Sequence, residues 1–191
     1  MASVPPIAVA VLAAGQSRRF GEADKLAAPF RGKPMGLHVC DKFEILPVAA
    51  KWVIAADKAH PCADGWRAED FEVVLNPDAE SGMGSSVALA AQQAQAAGMT
   101  ALIITLADMP LVPESHFANL MDRAGPFSIR ASHNGETATP PALFGSEHFR
   151  WLAEAKGDSG ARKLLHRADF IDCPAQLLVD IDDPETLARL G

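Results

Sequence analysis

The amino-acid sequence predicts an α/β fold, a three-layer α/β/α arrangement around a mostly parallel sheet. Short apolar runs alternate with helical patterns along the chain, which is typical of a sheet covered by helices on both faces. The most hydrophobic run, Ala101–Leu106, has the continuous apolar character of a central parallel strand. The length of 191 residues suits one such unit, so we expect residues 1–191 to form a single domain with a substantial core.

Each strand is predicted from a short apolar run. Ile7–Leu12 begins the series as a buried strand near the N-terminus. The runs at 127–131 and 142–144 are weaker, and we take them as candidates for antiparallel strands. The stretch 132–136 between them contains Asn-Gly, which favours a tight, exposed turn. The predicted strands cover residues 7–12, 52–56, 71–75, 101–106, 127–131, 142–144 and 177–179.

The helices are predicted between these runs. An alanine-rich pattern at 85–97 is followed by Gly98, and glycine commonly ends helices. Asp183 before Pro184 is a common helix start, because the carboxylate caps and the proline suits the first turn. The predicted helices cover residues 34–43, 85–97, 113–123, 147–154 and 159–167, and a last one begins at Pro184.

The composition restricts the possible partners and compartment. With 49% hydrophobic and 21% charged residues, the chain has globular composition. Its formal net charge of −7 argues against a nucleic-acid surface, since such surfaces are basic. Cys40, Cys62 and Cys173 are odd in number and far apart, which favours a reducing cytoplasm over a disulfide or zinc framework. No positive charge precedes the short first apolar run, so we expect neither a signal sequence nor a membrane span.

A glycine-containing loop follows the first predicted strand. Residues 12–21 read L-A-A-G-Q-S-R-R-F-G, and the loop closes on Lys25. Glycines let backbone N–H groups approach phosphate oxygens, and Arg19 and Lys25 would supply opposing charge. The spacing is wrong for G-x-G-x-x-G, and the G-K-[ST] ending of a P-loop is missing. The loop therefore indicates a polyphosphate site of another kind, or a plain strand-to-helix turn with solvated arginines.

Two acidic segments are candidates for a metal site. Asp108 follows the central strand in L-A-D-M-P, where a carboxylate facing a phosphate loop can hold Mg²⁺; the alternative is a turn or cap residue. Near the C-terminus the chain reads D-I-D-D-P-E, and the alternation projects Asp180 and Asp182 to one side. We expect Asp182 to share the metal with Asp108, and Asp183 to cap the last helix.

The motifs in order resemble those of the MobA-like nucleotidyltransferases, and within them most closely the molybdenum cofactor cytidylyltransferase branch. The resemblance runs from about residue 7 to residue 190. The matching segments are L-A-A-G-x-S-x-R-x-G with Lys25, S-G-M-G-S-S at 81–86, L-A-D-M-P at 106–110, G-D-S-G-A-R at 157–162 and D-I-D-D-P-E at 180–185.

This resemblance implies a Rossmann-like sheet of the nucleotide-diphospho-sugar transferase type and Mg²⁺-dependent transfer of a nucleotidyl group with release of pyrophosphate. Arg19 and Lys25 would then contact the triphosphate, and Asp108 and Asp182 would hold Mg²⁺. Arg162 either contacts the phosphate of the acceptor or lies on a helix surface. The residues implied to line the nucleotide are Leu12, Ala13, Ala14, Gly15, Ser85 and Ser86.

The resemblance also implies the substrates. L-A-A-G favours CTP over GTP, because the guanylyl branch usually has L-A-G-G. The implied acceptor is a molybdopterin-type cofactor, and the implied downstream partner is a molybdoenzyme of the xanthine dehydrogenase type. Residues 139–141 read T-P-P where branch members usually carry Gly-x-Pro. Two alternatives therefore stay open: another phosphorylated acceptor, such as a sugar phosphate or phospho-alcohol, and a non-catalytic cofactor carrier.

Overall fold

The computed structural model describes residues 5–15, 20, 24–157 and 162–191. The strands are β1 Ile7–Leu12, β2 Pro29–Phe30, β3 Lys33–Pro34, β4 Ala50–Ala55, β5 Glu72–Leu75, β6 Ala101–Leu106, β7 Ile129–His133, β8 Ala138–Gly145 and β9 Asp169–Asp172. The α-helices are α1 Ala63–Ala68, α2 Met83–Ala96, α3 Glu114–Met121, α4 Phe149–Leu152, α5 Arg162–Leu165 and α6 Pro184–Leu190. Short 3₁₀ helices cover Lys25–Ala27, Met35–Leu37, Cys40–Phe43, Ala79–Ser81, Ser146–His148 and Ala175–Leu177.

Seven strands form one sheet in the order β5-β4-β1-β6-β8-β7-β9. The pairs β1–β4, β1–β6, β4–β5 and β7–β9 are parallel. Strand β8 is antiparallel to both of its neighbours, β6 and β7. The mostly parallel sheet is therefore confirmed, and so is the antiparallel expectation for the residues around 142–144. Strands β2 and β3 form a separate two-stranded hairpin.

Helices cover both faces of the sheet, as the alternation of strands and helices predicts. One face packs its valines and isoleucines against aromatic side chains of α1, α3 and the 3₁₀ segments, among them Trp66, Phe43 and Phe117. The other face packs against the alanine stripe of α2 and against α4 and α5. Ala90, Ala91 and Ala94 of α2 are fully buried, because small side chains let this helix lie close to the sheet.

Two secondary-structure predictions are wrong. Residues 177–179 are not a strand, since Ala175–Leu177 forms a 3₁₀ helix, and the last strand is Asp169–Asp172. The segment 34–43 is not one helix but two short 3₁₀ turns. The carbonyl of Gly36 accepts a hydrogen bond of 2.9 Å from Nε1 of Trp66, which takes it out of a helical ladder.

The other helix predictions differ from the structure mainly at their ends. Helix α2 begins at Met83 rather than Ser85, and Gly98 behind it has a φ of +67°. Helix α6 is capped as predicted, with Asp183 Oδ1 accepting from the Thr186 N–H at 2.8 Å. Helix α4 is shorter than the predicted segment 147–154. Helix α5 ends at Leu165 rather than at 167, and residues 158–161 lie outside the described part of the chain. No helix in the described part has the length and apolar character that crossing a bilayer requires.

Candidate active site

The candidate site lies at the carboxyl ends of β1 and β6, where the order of the strands reverses. On one side of β1 the sheet continues with β4 and then β5, and on its other side lies β6. The last residues of these strands, Leu12 and Leu106, are register partners. The Ala107 N–H donates to the Leu12 carbonyl at 3.1 Å, so the two loops leave the sheet side by side. In open α/β sheets such a crevice is the usual position of a ligand.

A pocket of about 410 Å³ opens at this point. One wall is the predicted loop after β1, and another is the segment leading into α2. Lys25 and Asp108 also line the pocket. The residues that line the pocket are Leu12, Ala13, Ala14, Gly15, Lys25, Leu26, Ala79, Glu80, Gly82, Met83, Ser86, Leu106 and Asp108. Five of the six residues implied to line the nucleotide therefore share one cavity: the four of the loop after β1, and Ser86 of α2.

Lys25 forms ion pairs with both predicted metal ligands. Its ammonium contacts Oδ2 of Asp108 and lies 2.8 Å from Oδ1 of Asp182. The side chains of Lys25 and Asp108 are 12% and 16% exposed, whereas that of Asp182 is 42% exposed. Asp108 is therefore the inner carboxylate of the cluster, and Asp182 is the one nearer to solvent.

Asp182 reaches the cluster from a loop and not from a strand. The Ile181 N–H donates a hydrogen bond of 2.9 Å to the carbonyl oxygen of Asp108, and the Ile181 side chain is fully buried. Alternation along this extended segment places Asp180 and Asp182 opposite Ile181. The predicted approach of Asp182 to Asp108 is seen, although the strand that was expected to carry it is absent from the described residues.

The electrostatics of the cluster favour a bound cation. Burial raises the pKa of Asp108, and the nearby charges of Asp182 and Asp180 raise it further against the opposing effect of Lys25. Burial would lower the pKa of Lys25, but Asp108 and Asp182 outweigh it and the net direction is upward. Oδ1 of Asp108 is buried and has no hydrogen-bond partner among the described residues. Two carboxylates thus pair with one ammonium, and Oδ1 of Asp108 remains without a hydrogen-bond partner among the described residues.

The donor set fits a hard divalent cation that takes further ligands from elsewhere. Carboxylate oxygens suit Mg²⁺, which normally keeps waters and substrate phosphates in its coordination sphere. Within the described residues there is no group of three or more His, Cys, Asp or Glu side chains placed to hold a metal ion. The protein therefore offers two carboxylates, Asp108 and Asp182, rather than a complete cage.

The N-terminal end of α2 is organised by Asn76, a residue that the sequence did not indicate. Its buried Nδ2 donates to Ser85 Oγ and to Ser86 Oγ, each at 2.9 Å. Ser85 Oγ in turn donates to the Gly82 carbonyl at 2.8 Å. Ser86 lines the pocket, while Ser85 lies beside it in this hydrogen-bonded network. The only signal that the sequence offers at Asn76 is its position directly after a predicted strand, which indicates a loop but not these hydrogen bonds.

A close backbone contact joins α2 to the segment that begins at Gly157. The Gly84 N–H donates to the Gly157 carbonyl at 2.8 Å. A Cβ at position 84 would lie 2.5 Å from that oxygen, so only glycine fits there. Gly84 of the motif at 81–86 and Gly157, the first residue of the motif at 157–162, thus meet at the pocket-side end of α2.

Two predicted site residues cannot be placed at the pocket. Arg19 lies outside the described residues. Arg162 begins α5, but its side chain lies outside what the structure describes. The sequence did not predict that Ala79, Glu80 and Met83 line the pocket. Ala79 and Glu80 lie in the 3₁₀ helix before α2, and Met83 is the first residue of α2.

Residues 9–171 match the MobA-like NTP transferase domain. The chain belongs to the MobA-like NTP transferase family. This match supports nucleotidyltransferase chemistry and agrees with a pocket lined by the L-A-A-G loop.

Two relatives of this MobA-like chain extend over nearly its whole length. The purine catabolism protein PucB of Bacillus subtilis is 32% identical over 193 residues, covering 91% of this chain and 90% of its own. The nicotine blue oxidoreductase of Paenarthrobacter nicotinovorans is 27% identical over 204 residues, covering 98% and 97%. The similarity to these two relatives therefore extends over at least nine tenths of each chain.

A solved structure supports the MobA-like fold. Rv0371c of Mycobacterium tuberculosis H37Rv superposes with a TM-score of 0.77 and 23% identity, covering 98% of both chains. A second structure of that protein, in complex with manganese, gives a TM-score of 0.70 with 22% identity and covers 97% of both chains. At this identity the likeness establishes the fold, the nucleotide-diphospho-sugar transferase type.

Proposed function

We propose that the protein is a Mg²⁺-dependent CTP:molybdopterin cytidylyltransferase that makes the dinucleotide form of the molybdenum cofactor and releases pyrophosphate. The observation that carries this proposal is the Lys25–Asp108–Asp182 cluster at the edge of the pocket lined by the L-A-A-G loop. One cation and two carboxylates beside a glycine loop suit a triphosphate and its metal. The whole chain, residues 1–191, would form the one domain that does this.

The proposed roles follow the geometry of the pocket. Leu12, Ala13, Ala14 and Gly15 would line the nucleotide with their backbone, and Ser86 would contact it from the start of α2, with Ser85 in support. Lys25 would bind the triphosphate, joined by Arg19 from the loop. Arg162 is proposed to contact the phosphate of the acceptor.

The reaction needs positioning and charge compensation more than covalent help. An oxygen of the acceptor's terminal phosphate would attack the α-phosphorus of CTP, the bond to the β-phosphate would break, and pyrophosphate would leave. A phosphate monoester is already ionised at neutral pH, so no general base is required. Lys25 would hold the triphosphate in line and compensate charge on the leaving pyrophosphate.

Asp108 and Asp182 would hold the divalent cation. The unsatisfied Oδ1 of Asp108 and the excess of carboxylates support this role. When bound, Mg²⁺ supplies neutralisation of the negative charge on the phosphates. The manganese complex of Rv0371c supports the use of a divalent cation in this fold.

The acceptor and downstream partner are proposed from the resemblance and the relatives. The name of PucB connects it with purine catabolism, and xanthine is a purine, which supports a molybdoenzyme of the xanthine dehydrogenase type as partner. We place the protein in the cytoplasm, with neither nucleic acid nor membrane as a partner.

The test is pyrophosphate release from CTP and GTP in parallel, with Mg²⁺, with and without molybdopterin. We expect release from CTP that depends on the acceptor and stops on chelation of the metal. Release from GTP alone would contradict the choice of nucleotide. No release from any nucleoside triphosphate by folded protein would contradict the proposed activity.

One alternative has an observation in its favour. Residues 139–141 read T-P-P in the strand β8, where the cytidylyltransferase branch usually carries Gly-x-Pro. This departure would suit another phosphorylated acceptor, such as a sugar phosphate or phospho-alcohol. Pyrophosphate release with such an acceptor, and none with molybdopterin, would select it. Tight binding of the dinucleotide product without turnover would instead select a non-catalytic cofactor carrier.

A further inference from the structure

The turn that carries Lys25 is joined by hydrogen bonds to the loop that follows β4. Lys25 is the first residue of the 3₁₀ helix Lys25–Ala27, and Asp24 caps this helix. Oδ1 of Asp24 accepts from the Leu26 N–H at 2.8 Å. Oδ2 of Asp24 lies 2.7 Å from Nε2 of His60. One carboxylate therefore connects the lysine turn with a side chain 36 positions further along the sequence.

His60 is itself held by a contact at each ring nitrogen and by a stacked aromatic ring. Its Nδ1 accepts a hydrogen bond of 3.0 Å from the Cys62 N–H, so its proton lies on Nε2 and points at Asp24. The ring stacks on the indole of Trp66, with 4.7 Å between centroids and 26° between planes. The imidazole is 9% exposed. Since both nitrogens are engaged, His60 is not available for proton transfer to a substrate.

Two further contacts hold the turn. Leu26 is buried, and its carbonyl accepts from Sγ of Cys62 at 3.3 Å. Trp66 is fully buried and donates from Nε1 to the Gly36 carbonyl at 2.9 Å. A Cβ at Gly36 would lie 3.0 Å from Cβ of Leu26, so this segment also lies against the turn. The His60 side chain thus connects the Lys25 turn to the buried Trp66 in the core.

We propose that His60 is a positioning residue, which acts through Asp24 to hold Lys25 where it binds the triphosphate of the nucleotide. A lysine has a long, flexible side chain, so its usefulness at a fixed phosphate depends on how firmly its backbone is held. The hydrogen bond from His60 lowers the pKa of Asp24, which means that this contact favours the carboxylate form that caps the turn. This inference rests on the role of Lys25 in the proposed function.

The test measures CTP affinity by calorimetry with Mg²⁺ and no acceptor, so that turnover plays no part. In His60→Ala we expect the Kd for CTP to rise about tenfold, the size of one charge-assisted hydrogen bond. His60→Gln keeps a donor at the same reach and should restore affinity to within about threefold. Asp24→Asn, which keeps the volume but presents a donor to His60, should behave like His60→Ala. His148→Ala is the matched control, because this histidine bonds the Phe127 carbonyl at 3.2 Å, away from the pocket lining.

A double-mutant cycle separates positioning from general stability. In a Lys25→Met background, His60→Ala should change the Kd for CTP by less than about twofold, because the group that it positions is gone. An equal loss with and without Lys25, or a His60→Gln variant as weak as His60→Ala, would overturn the proposal. So would unchanged CTP affinity in both His60→Ala and Asp24→Asn.

A nucleotide-free measurement keeps this outcome distinct from that of the proposed function. Wild-type protein that binds no CTP would contradict the proposed function. Hydrogen exchange at the Leu26 amide, measured without nucleotide, then still decides whether His60 holds the turn. We expect exchange about fivefold faster in His60→Ala than in the wild type. Equal exchange rates in the two proteins would overturn the positioning role whatever the nucleotide chemistry.

Discussion

The Ile181 N–H donates a hydrogen bond of 2.9 Å to the carbonyl oxygen of Asp108, and this contact joins the two carboxylates of the candidate site. Ile181 is fully buried, so the C-terminal segment is fixed at the point where it passes the end of β6. Asp108 and Asp182 therefore flank the Lys25 ammonium from two loops whose relative position the backbone sets. Such a preformed arrangement suits a reaction that depends on electrostatic preorganisation.

Removing the inner carboxylate should abolish activity without unfolding the protein. In Asp108→Asn we expect pyrophosphate release to fall by roughly 10³-fold, since the main metal ligand loses its charge. The Lys25 ammonium keeps Asp182 as an ion-pair partner in this variant, so we expect the protein to stay folded, with a melting temperature lowered by the loss of one ion pair. The control is Asp122→Asn, an exposed carboxylate at the end of α3. Normal activity in Asp108→Asn would remove Asp108 from the proposed metal site.

The sequence predicted the centre of the site better than its surroundings. Strands β1 and β6 are long apolar runs, and the rule that ligands bind at strand ends then brings the loop after Leu12 next to Asp108. Strand β9 was missed because it is a largely exposed edge strand whose only described neighbour is β7. Helix α1 has six residues with a central glycine, too few for a periodic signal. The contacts of Asn76 and His60 are tertiary, and no local pattern records them.

The Lys25 ammonium and a metal ion should compete for the same carboxylates. In nucleotide-free protein we expect Lys25→Met to bind Mn²⁺ roughly tenfold more tightly than the wild type, because the positive charge between Asp108 and Asp182 is gone. Electron paramagnetic resonance of free Mn²⁺ during a titration measures this directly. Lys25→Arg is the matched control and should not gain affinity. Weaker Mn²⁺ binding by Lys25→Met would show that the lysine does not oppose the metal.

The same ion pairs should make part of the stability sensitive to alkaline pH. The carboxylates raise the pKa of Lys25 above its ordinary 10.5 despite burial. A cationic group with a raised folded-state pKa contributes stability that is fully present below its unfolded pKa and is lost as the pH rises through its folded pKa. The difference in unfolding free energy between wild type and Lys25→Met should therefore be constant up to about pH 10.5 and shrink above it.

Urea unfolding between pH 8 and the alkaline limit of reversible folding checks this prediction. The chain contains no tyrosine, so phenol ionisation does not complicate the alkaline range. If the difference in unfolding free energy between wild type and Lys25→Met stays constant or grows well above the ordinary lysine pKa, the ion pairs of Lys25 do not stabilise the fold in the way proposed.

Gly84 should be required for the structure beside the pocket. A Cβ at this position would lie 2.5 Å from the Gly157 carbonyl oxygen and 2.7 Å from the carbonyl carbon of Lys156, and both are backbone atoms. We expect Gly84→Ala to lower the free energy of unfolding by roughly 1–3 kcal/mol and to weaken CTP binding, since the shift acts on the end of α2 that carries Ser86. Gly125→Ala is the control, because a Cβ there has no described neighbour within 4 Å. Urea unfolding and calorimetry of both variants test this, and equal stability of the two would mean that α2 and the Gly157 segment can move apart at little cost.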